Sequence, residues 1–197
     1  MLVPVKAFAD AKARLSVLLG VAERERLARW TAARVLAAAG ELPAYVACDD
    51  EHVAAWASEH GASILWHPGV GLNAAVNNSV AELRDAGVSD VIVAHGDLPR
   101  AYSLAGLAEP GTVTLVPDRH GDGTNVIALP TDLAFQFAYG PGSFRRHLAA
   151  AIVAGHSVRV RRDPLLAADI DTPDDLAHPL VQEVLPTWLR TTPANQR

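Results

Sequence analysis

The residues of this chain best equipped for chemistry are carboxylates and cations placed at the ends of apolar runs. Asp97 follows the run VIVA and the pair His95-Gly96, and Asp169 and Asp171 stand two apart in ADIDTPDDL. Residues two apart on an extended segment project to one side, so both of the latter carboxylates can face one ion. Mg²⁺ takes hard oxygen ligands, commonly one or two protein carboxylates together with waters and substrate phosphates. The competing reading is capping: Asp171 or Thr172 can cap a helix that opens at Pro173. Capping by either leaves Asp169 free to hold a metal. At the other end of the chain, Lys6, Lys12 and Arg14 follow the first apolar run, in PVKAFADAKARL. Three cations on one connection could hold a triphosphate, arginine through a bidentate fork and lysine as a compact charge. The alternative is a basic loop in solvent.

Glycine-containing segments offer anion sites. Arg119-His120-Gly121-Asp122-Gly123-Thr124 follows an apolar run, and its glycines permit close backbone approach. Tyr139-Gly140-Pro141-Gly142-Ser143 precedes a helical pattern. Free backbone N–H groups there, together with the Ser143 hydroxyl, could bind a carboxylate or phosphate. The bland reading makes Ser143 an N-cap and the glycines turns. Gly71-Leu72-Asn73 opens another helix, where Asn73 either reads a base edge or caps.

These groups need a scaffold that gathers strand ends. Apolar runs at 2–5, 44–48, 62–66, 91–94, 113–116 and 158–160 alternate with helical periods at 23–39, 51–59, 73–86 and 143–154. That alternation predicts an α/β fold, a mostly parallel sheet with crossover helices. The run 126–129 is expected to pair back nearby, in an antiparallel sense. In open α/β sheets ligands bind outside the carboxyl ends of the strands, where the carboxylates and cations fall. One domain over 1–186 is expected, followed by a polar, turn-prone and flexible tail over 187–197.

Composition sets bounds on function. Of 197 residues half are apolar and a fifth charged, the balance of a globular chain, and the net charge of −5 argues against a broad nucleic-acid surface. The single cysteine, Cys48, excludes an internal disulfide and reads as a small core residue. The N-terminus lacks the basic-then-apolar order of a signal peptide. No apolar run approaches the ~18 residues of a membrane span. A cytoplasmic protein without nucleic-acid or membrane partners is expected. The eight histidines show no metal-ligand spacing, and no Walker A motif, GxSxG elbow or paired CxxC occurs.

The elements PVK…AKARL, GLNAA, GDLP, PDRHGDGTN, FAYGPGSFRRH and DIDTPDDL occur together and in order. In this combination the chain resembles the 2-phospho-L-lactate and phosphoenolpyruvate guanylyltransferases of coenzyme F420 biosynthesis, from about residue 3 to residue 176. DIDTPDDL alone is shared with other nucleotidyltransferases; PDRHGDGTN followed by GPGS is more specific. The resemblance implies a single-domain Rossmann-like nucleotidyltransferase fold and Mg²⁺ held by Asp97, Asp169 and Asp171. It implies that Thr124, Gly140 and Ser143 hold the phosphorylated acid and that Lys6, Lys12 and Arg14 face the GTP phosphates. Gly71 and Asn73 are implied as nucleotide contacts, with Asp118 in the same cleft assisting metal or substrate.

The implied reaction is attack by a phosphate oxygen of a three-carbon acid on the α-phosphorus of GTP, with pyrophosphate leaving. Phosphoenolpyruvate is the first choice of acid, with 2-phospho-L-lactate and 3-phosphoglycerate as alternatives. Pocket shape separates the first two by only about 1–3 kcal/mol. Larger relatives that act on sugar nucleotides carry a GxGxR loop where this chain has PVKAFADAKARL, so phosphate binding leans on the lysines. Another nucleotidyltransferase, such as a molybdopterin cytidylyltransferase, and a non-catalytic nucleotide-binding protein are the rival readings. Homodimerisation and hand-off of product to the downstream pathway transferase are left open.

Overall fold

The computed structural model describes residues 1–190. Seven strands form one sheet: β1 (Leu2–Pro4), β2 (Tyr45–Cys48), β3 (Ser63–Trp66), β4 (Asp90–Ala94), β5 (Thr112–Pro117), β6 (Thr124–Pro130) and β7 (Ser157–Val160). Their spatial order is β3-β2-β1-β4-β6-β5-β7. Four neighbouring pairs are parallel, whereas β6 runs antiparallel to both β4 and β5. The expected antiparallel return over 126–129 is thus central, not marginal: β6 lies between two strands and all seven of its residues are buried.

The helices are α1 (Val21–Ala37), α2 (Glu51–Glu59), α3 (Gly71–Asp85) and α4 (Ser143–Val153). They cover the two faces of the sheet, and the strands divide their side chains between those faces by simple alternation. On β4, Ile92 and Ala94 join Val3, Ala32, Val35, Val53 and Trp56 in one core; Val91 and Val93 join Val76, Val80, Leu83, Phe144 and Ala151 in the other. Strands buried on both faces read as continuous apolar runs, and this is why the sequence pattern located them.

Three short helices follow, α5 (Pro173–Ala177), α6 (Pro179–Gln182) and α7 (Thr187–Arg190). They belong to a third apolar cluster in which Leu15, Leu19 and Leu27 meet Ile170, Leu176, Val181, Leu185 and Leu189. This corrects the tail expected from residue 187: Leu189 is 6% exposed, and its burial keeps α7 on the body of the protein. The rest of that expectation, 191–197, lies outside the described residues. The cluster matters for function because Leu15 and Ile170 pack within it, which brings the basic N-terminal connection beside the acidic segment. No helix among the described residues is long and apolar enough to cross a membrane.

Candidate active site

The strand order reverses at β1, whose neighbours are β2 on one side and β4 on the other. At that switch point the connections leave in opposite directions and open a crevice at the carboxyl ends. A cavity of about 320 Å³ lies there, lined by Lys6, Lys12, His95, Gly96, Asp97 and Asp171 among others. A second of about 320 Å³ continues over β2, lined by Cys48, Asp49, Asp50, His67 and Gly71. The two share Pro4, Val5, Lys6, Asp10 and Leu72, so they form one elongated cleft.

Asp97, Asp169 and Asp171 each bring a carboxylate oxygen to within 4.8 Å of the others. Backbone pairing sets this arrangement. The Ile170 N–H donates to the Asp97 carbonyl at 3.2 Å, placing the two flanking aspartates around Asp97. Asn125 on β6 anchors the segment from beneath, donating to the Leu166 carbonyl at 3.0 Å and to Asp169 Oδ1 at 3.3 Å. The capping alternative is decided here. Thr172, not Asp171, caps α5, accepting from the Asp175 N–H, and Asp175 in turn accepts from the Asp171 and Thr172 N–H groups at 3.0 and 2.7 Å. Arg119 donates to the same Asp175 carboxylate through Nε and Nη2. The Asp171 carboxylate is left facing the cleft.

Both lysines of the chain lie in the N-terminal connection. Lys6 is exposed and lines both halves of the cleft. Lys12 does not lie free toward a phosphate position. Its Nζ stands 3.1 Å from Asp97 Oδ2 and 3.0 Å from Asp171 Oδ1, with its side chain only 8% exposed. Lys12 also has φ of 56°, the only positive φ of a non-glycine residue among those described. Arg14, exposed on a 3₁₀ turn over Ala13–Leu15, is not among the residues lining the cleft.

The electrostatics follow from this crowding. Burial alone disfavours charge on Lys12, but the Asp97 and Asp171 carboxylates outweigh it and raise its pKa. Burial likewise acts against the Asp97 carboxylate, and Lys12 reverses the direction and holds it low. Asp169 has no cation of its own. Burial, then the charges of Asp97 and Asp171, push it up to about 7. Asp97 Oδ1 is buried with no hydrogen-bond partner among the described residues. Three clustered carboxylates, one with an orphaned oxygen, make a donor set suited to a hard divalent cation. The Lys12 ammonium drawn between two of them shows that the position attracts positive charge.

The second group of expected residues gathers at the mouth of α4. Thr124 and Ser143 are 3% and 2% exposed; Thr124 Oγ1 is paired with His147 Nδ1 at 3.0 Å, and the Ser143 hydroxyl has no hydrogen-bond partner among the described residues. The expected anion site on the backbone of α4 is not open, however. Asp122 already occupies it: its carboxylate accepts from the Gly142 N–H at 2.9 Å and its carbonyl from the Phe144 N–H at 2.9 Å. The Ser143 N–H donates to the Gly140 carbonyl. Anion binding there is left to the two hydroxyls and the Gly140 N–H, which donates to no described residue.

Two further expectations change. Asn73 does not cap α3. Its side-chain amide clasps the backbone of Tyr139, accepting from the N–H at 2.7 Å and donating to the carbonyl at 3.2 Å. Asn77, one turn on, holds Phe137 in the same way at 3.0 and 3.2 Å. Asp118 is not free for metal or substrate. Its carboxylate accepts from the N–H groups of His120, Asp122 and Gly123 and so shapes the glycine loop. A Cβ on Gly123 would lie 2.7 Å from Asp118 Oδ2, which explains the glycine there.

Several residues of this site escaped the sequence reading: Asn77, Asn125, Asp122, Asp175, Arg146 and His147. Arg146 donates to the carbonyls of Ala138 and Pro141, and His147 accepts from the Ala138 N–H. With the two asparagines, these side chains satisfy every backbone polar group from Phe137 to Tyr139, a segment outside any strand. The spacing Asn73–Asn77 and Ser143–His147, four apart on one helix face, was the available signal.

A doubly wound α/β sheet with an acidic triad and cationic loop at its switch point defines a nucleotidyltransferase-like protein, and comparison of folds agrees. The structure superposes with a TM-score of 0.71 on a nucleotide-diphospho-sugar transferase from Desulfovibrio desulfuricans G20, at 18% identity over 89% of this chain and 83% of that one. It superposes at 0.60 on a nucleotidyl transferase from Methanothermobacter, at 18% identity over 90% of this chain and 94% of that one. The chain belongs to the CofC-like guanylyl transferase family, whose model matches residues 1–183. Similar proteins include the phosphoenolpyruvate guanylyltransferases of Sphaerobacter thermophilus, 38% identical over 88% of each chain, and of Conexibacter woesei, 37% identical over 89% of this chain and 84% of that one.

Proposed function

We propose that this protein transfers GMP from GTP to phosphoenolpyruvate, giving enolpyruvoyl-2-diphospho-5'-guanosine and pyrophosphate, in coenzyme F420 biosynthesis. The observation that carries the reading is the single cleft in which Asp97, Asp169, Asp171, Lys6 and Lys12 meet. It is supported by the family and by relatives named for this reaction.

In this reading the guanosine lies in the cleft half over β2, near Gly71, and its phosphates extend toward Lys6, while Lys12 stays on the carboxylates. The acid is held by the Thr124 and Ser143 hydroxyls with Gly140. A phosphate oxygen of the acid attacks the α-phosphorus of GTP as the bond to pyrophosphate breaks. That oxygen is anionic near neutral pH, so no strong general base is required. Asp97, Asp169 and Asp171 would hold Mg²⁺, which when bound would neutralise charge on the transferring phosphate. Lys6 adds a second positive charge without proton transfer, and the rigid loop at 137–143 orients the acid for in-line approach.

Product mass spectrometry tests this directly. Protein, Mg²⁺ and GTP are incubated with phosphoenolpyruvate, 2-phospho-L-lactate or 3-phosphoglycerate, with ATP and CTP as controls and pyrophosphatase to draw the reaction forward. A GMP adduct of phosphoenolpyruvate is expected. An adduct of another acid only, or adducts with CTP in place of GTP, would replace the reading by that specificity. Folded protein with no adduct from any pair would refute it.

A further inference from the structure

His147 is fully buried on α4, one turn after Ser143, between two groups whose positions are set by the fold. Its Nε2 lies 2.9 Å from the backbone nitrogen of Ala138 and its Nδ1 lies 3.0 Å from Thr124 Oγ1. A backbone N–H can only donate, so Nε2 must present its lone pair. The single hydrogen of a neutral imidazole is then on Nδ1. An imidazolium would set a second hydrogen on Nε2 against the Ala138 N–H. Burial, with Arg146 and His95 nearby, holds the His147 pKa down to about 4, so the neutral ring persists at physiological pH.

Nδ1–H therefore donates to the Thr124 oxygen. The Thr124 hydroxyl hydrogen is excluded from the ring, and no described residue accepts it. On a residue only 3% exposed, a hydroxyl with its oxygen engaged and its hydrogen unassigned is a donor of fixed polarity. We propose that His147 is a positioning residue that locks the Thr124 hydroxyl as a donor to an anionic oxygen of the acid substrate. The inference rests on the reading that Thr124 contacts that acid, and it adds a cause for the direction of the contact. Recognition then begins at Ala138, whose N–H sets the tautomer of His147, which sets the rotor of Thr124.

The test combines a tautomer measurement with a double-mutant cycle. In ¹⁵N-resolved NMR of the wild-type protein at pH 7, His147 should appear as the neutral Nδ1–H tautomer; an Nε2–H or doubly protonated ring would overturn the proposal without reference to any substrate. In kinetics, Thr124→Val and His147→Phe should each raise the KM for the acid about 10-fold, the scale of one lost hydrogen bond, with the KM for GTP little changed. The double variant should be no worse than Thr124→Val alone, and His147→Asn, which can present an N–H near the Nδ1 position, should recover part of the loss. Additive losses, or an equal rise in the KM for GTP, would overturn the positioning role. If Thr124→Val leaves the acid KM unchanged, the acid-site reading itself fails, while the NMR result still decides the tautomer. Should His147→Phe fail to fold, His147→Asn completes the cycle.

Discussion

The Lys12 ammonium stands 3.1 Å from Asp97 and bridges onward to Asp171 at 3.0 Å, so a cation of the protein itself lies among the carboxylates suited to a metal. The apolar packing of Leu15 against the acidic segment makes this approach local and repeatable. It also separates the two lysines: Lys6 faces the open cleft, and Lys12 faces the triad.

Replacement of Asp97 should abolish turnover and leave the fold in place. Asp97 contributes one buried oxygen with no partner and one shared with Lys12. Asp97→Asn keeps the volume and removes the charge. The expected fall in kcat is on the order of 10³, the scale for loss of a main electrostatic stabiliser. Steady-state assay beside a thermal melt checks it, and activity within tenfold of wild type would remove Asp97 from the reaction.

Lys12→Met separates the two uses of its charge. Without Mg²⁺ the variant leaves the half-buried Asp97 uncompensated, at a cost below the ~3–5 kcal/mol of a fully buried pair that loses one partner. Its melting temperature should therefore fall in metal-free buffer and be raised by Mg²⁺ more than that of the wild type. Mn²⁺ titration followed by electron paramagnetic resonance should show tighter binding to the variant in the absence of nucleotide. Unchanged or weaker binding would mean that Lys12 and the metal do not compete.

The strands and principal helices were legible because buried strands are apolar runs and the helices carry a clear period and stop signals. The acidic triad was legible because strand ends in such a sheet point into the crevice. Asn73 was not. An asparagine at a helix start has capping and base reading as its local options, and its actual partner, Tyr139, lies 66 residues away. Asp122 was missed for the same reason: nothing near it in sequence indicates that it fills the N-terminus of α4. The tail misled through composition: Leu185, Trp188 and Leu189 anchor a segment whose remaining residues read as polar and turn-prone.

Asn73→Ala should act on the acid, not on the nucleotide. Two hydrogen bonds to the Tyr139 backbone disappear, and each unsatisfied buried group costs about 1–3 kcal/mol. Thermal unfolding should shift down by several degrees. The KM for the acid should rise because the loop bearing Gly140 and Ser143 loses its clasp, while the KM for GTP stays near the wild-type value. A selective rise in the GTP value would restore Asn73 to the nucleotide.

Stability should weaken on mild acidification through His147. Its folded pKa of about 4, lowered by burial and by Arg146 and His95, lies below the unfolded value of about 6.5. Between those limits the unfolded chain binds the extra proton, so stability rises with pH. The contribution is whole above about pH 6.5, declines as pH falls toward 4 and reaches a few kcal/mol at most. Burial lowers the pKa of His95 as well, which adds a loss of the same sign. Asp97, Asp163 and Asp175, held below the ordinary carboxylate range by their partners, withdraw their contributions only at lower pH still. Asp169, pushed up to about 7, acts in the opposite sense over the same range, so the difference between two proteins is the test. In urea unfolding at pH 4.5, 5.5, 6.5 and 7.5 the wild type should lose stability relative to His147→Phe as the pH is lowered. Parallel curves for the two proteins would show that His147 takes up its proton equally in the folded and unfolded chains.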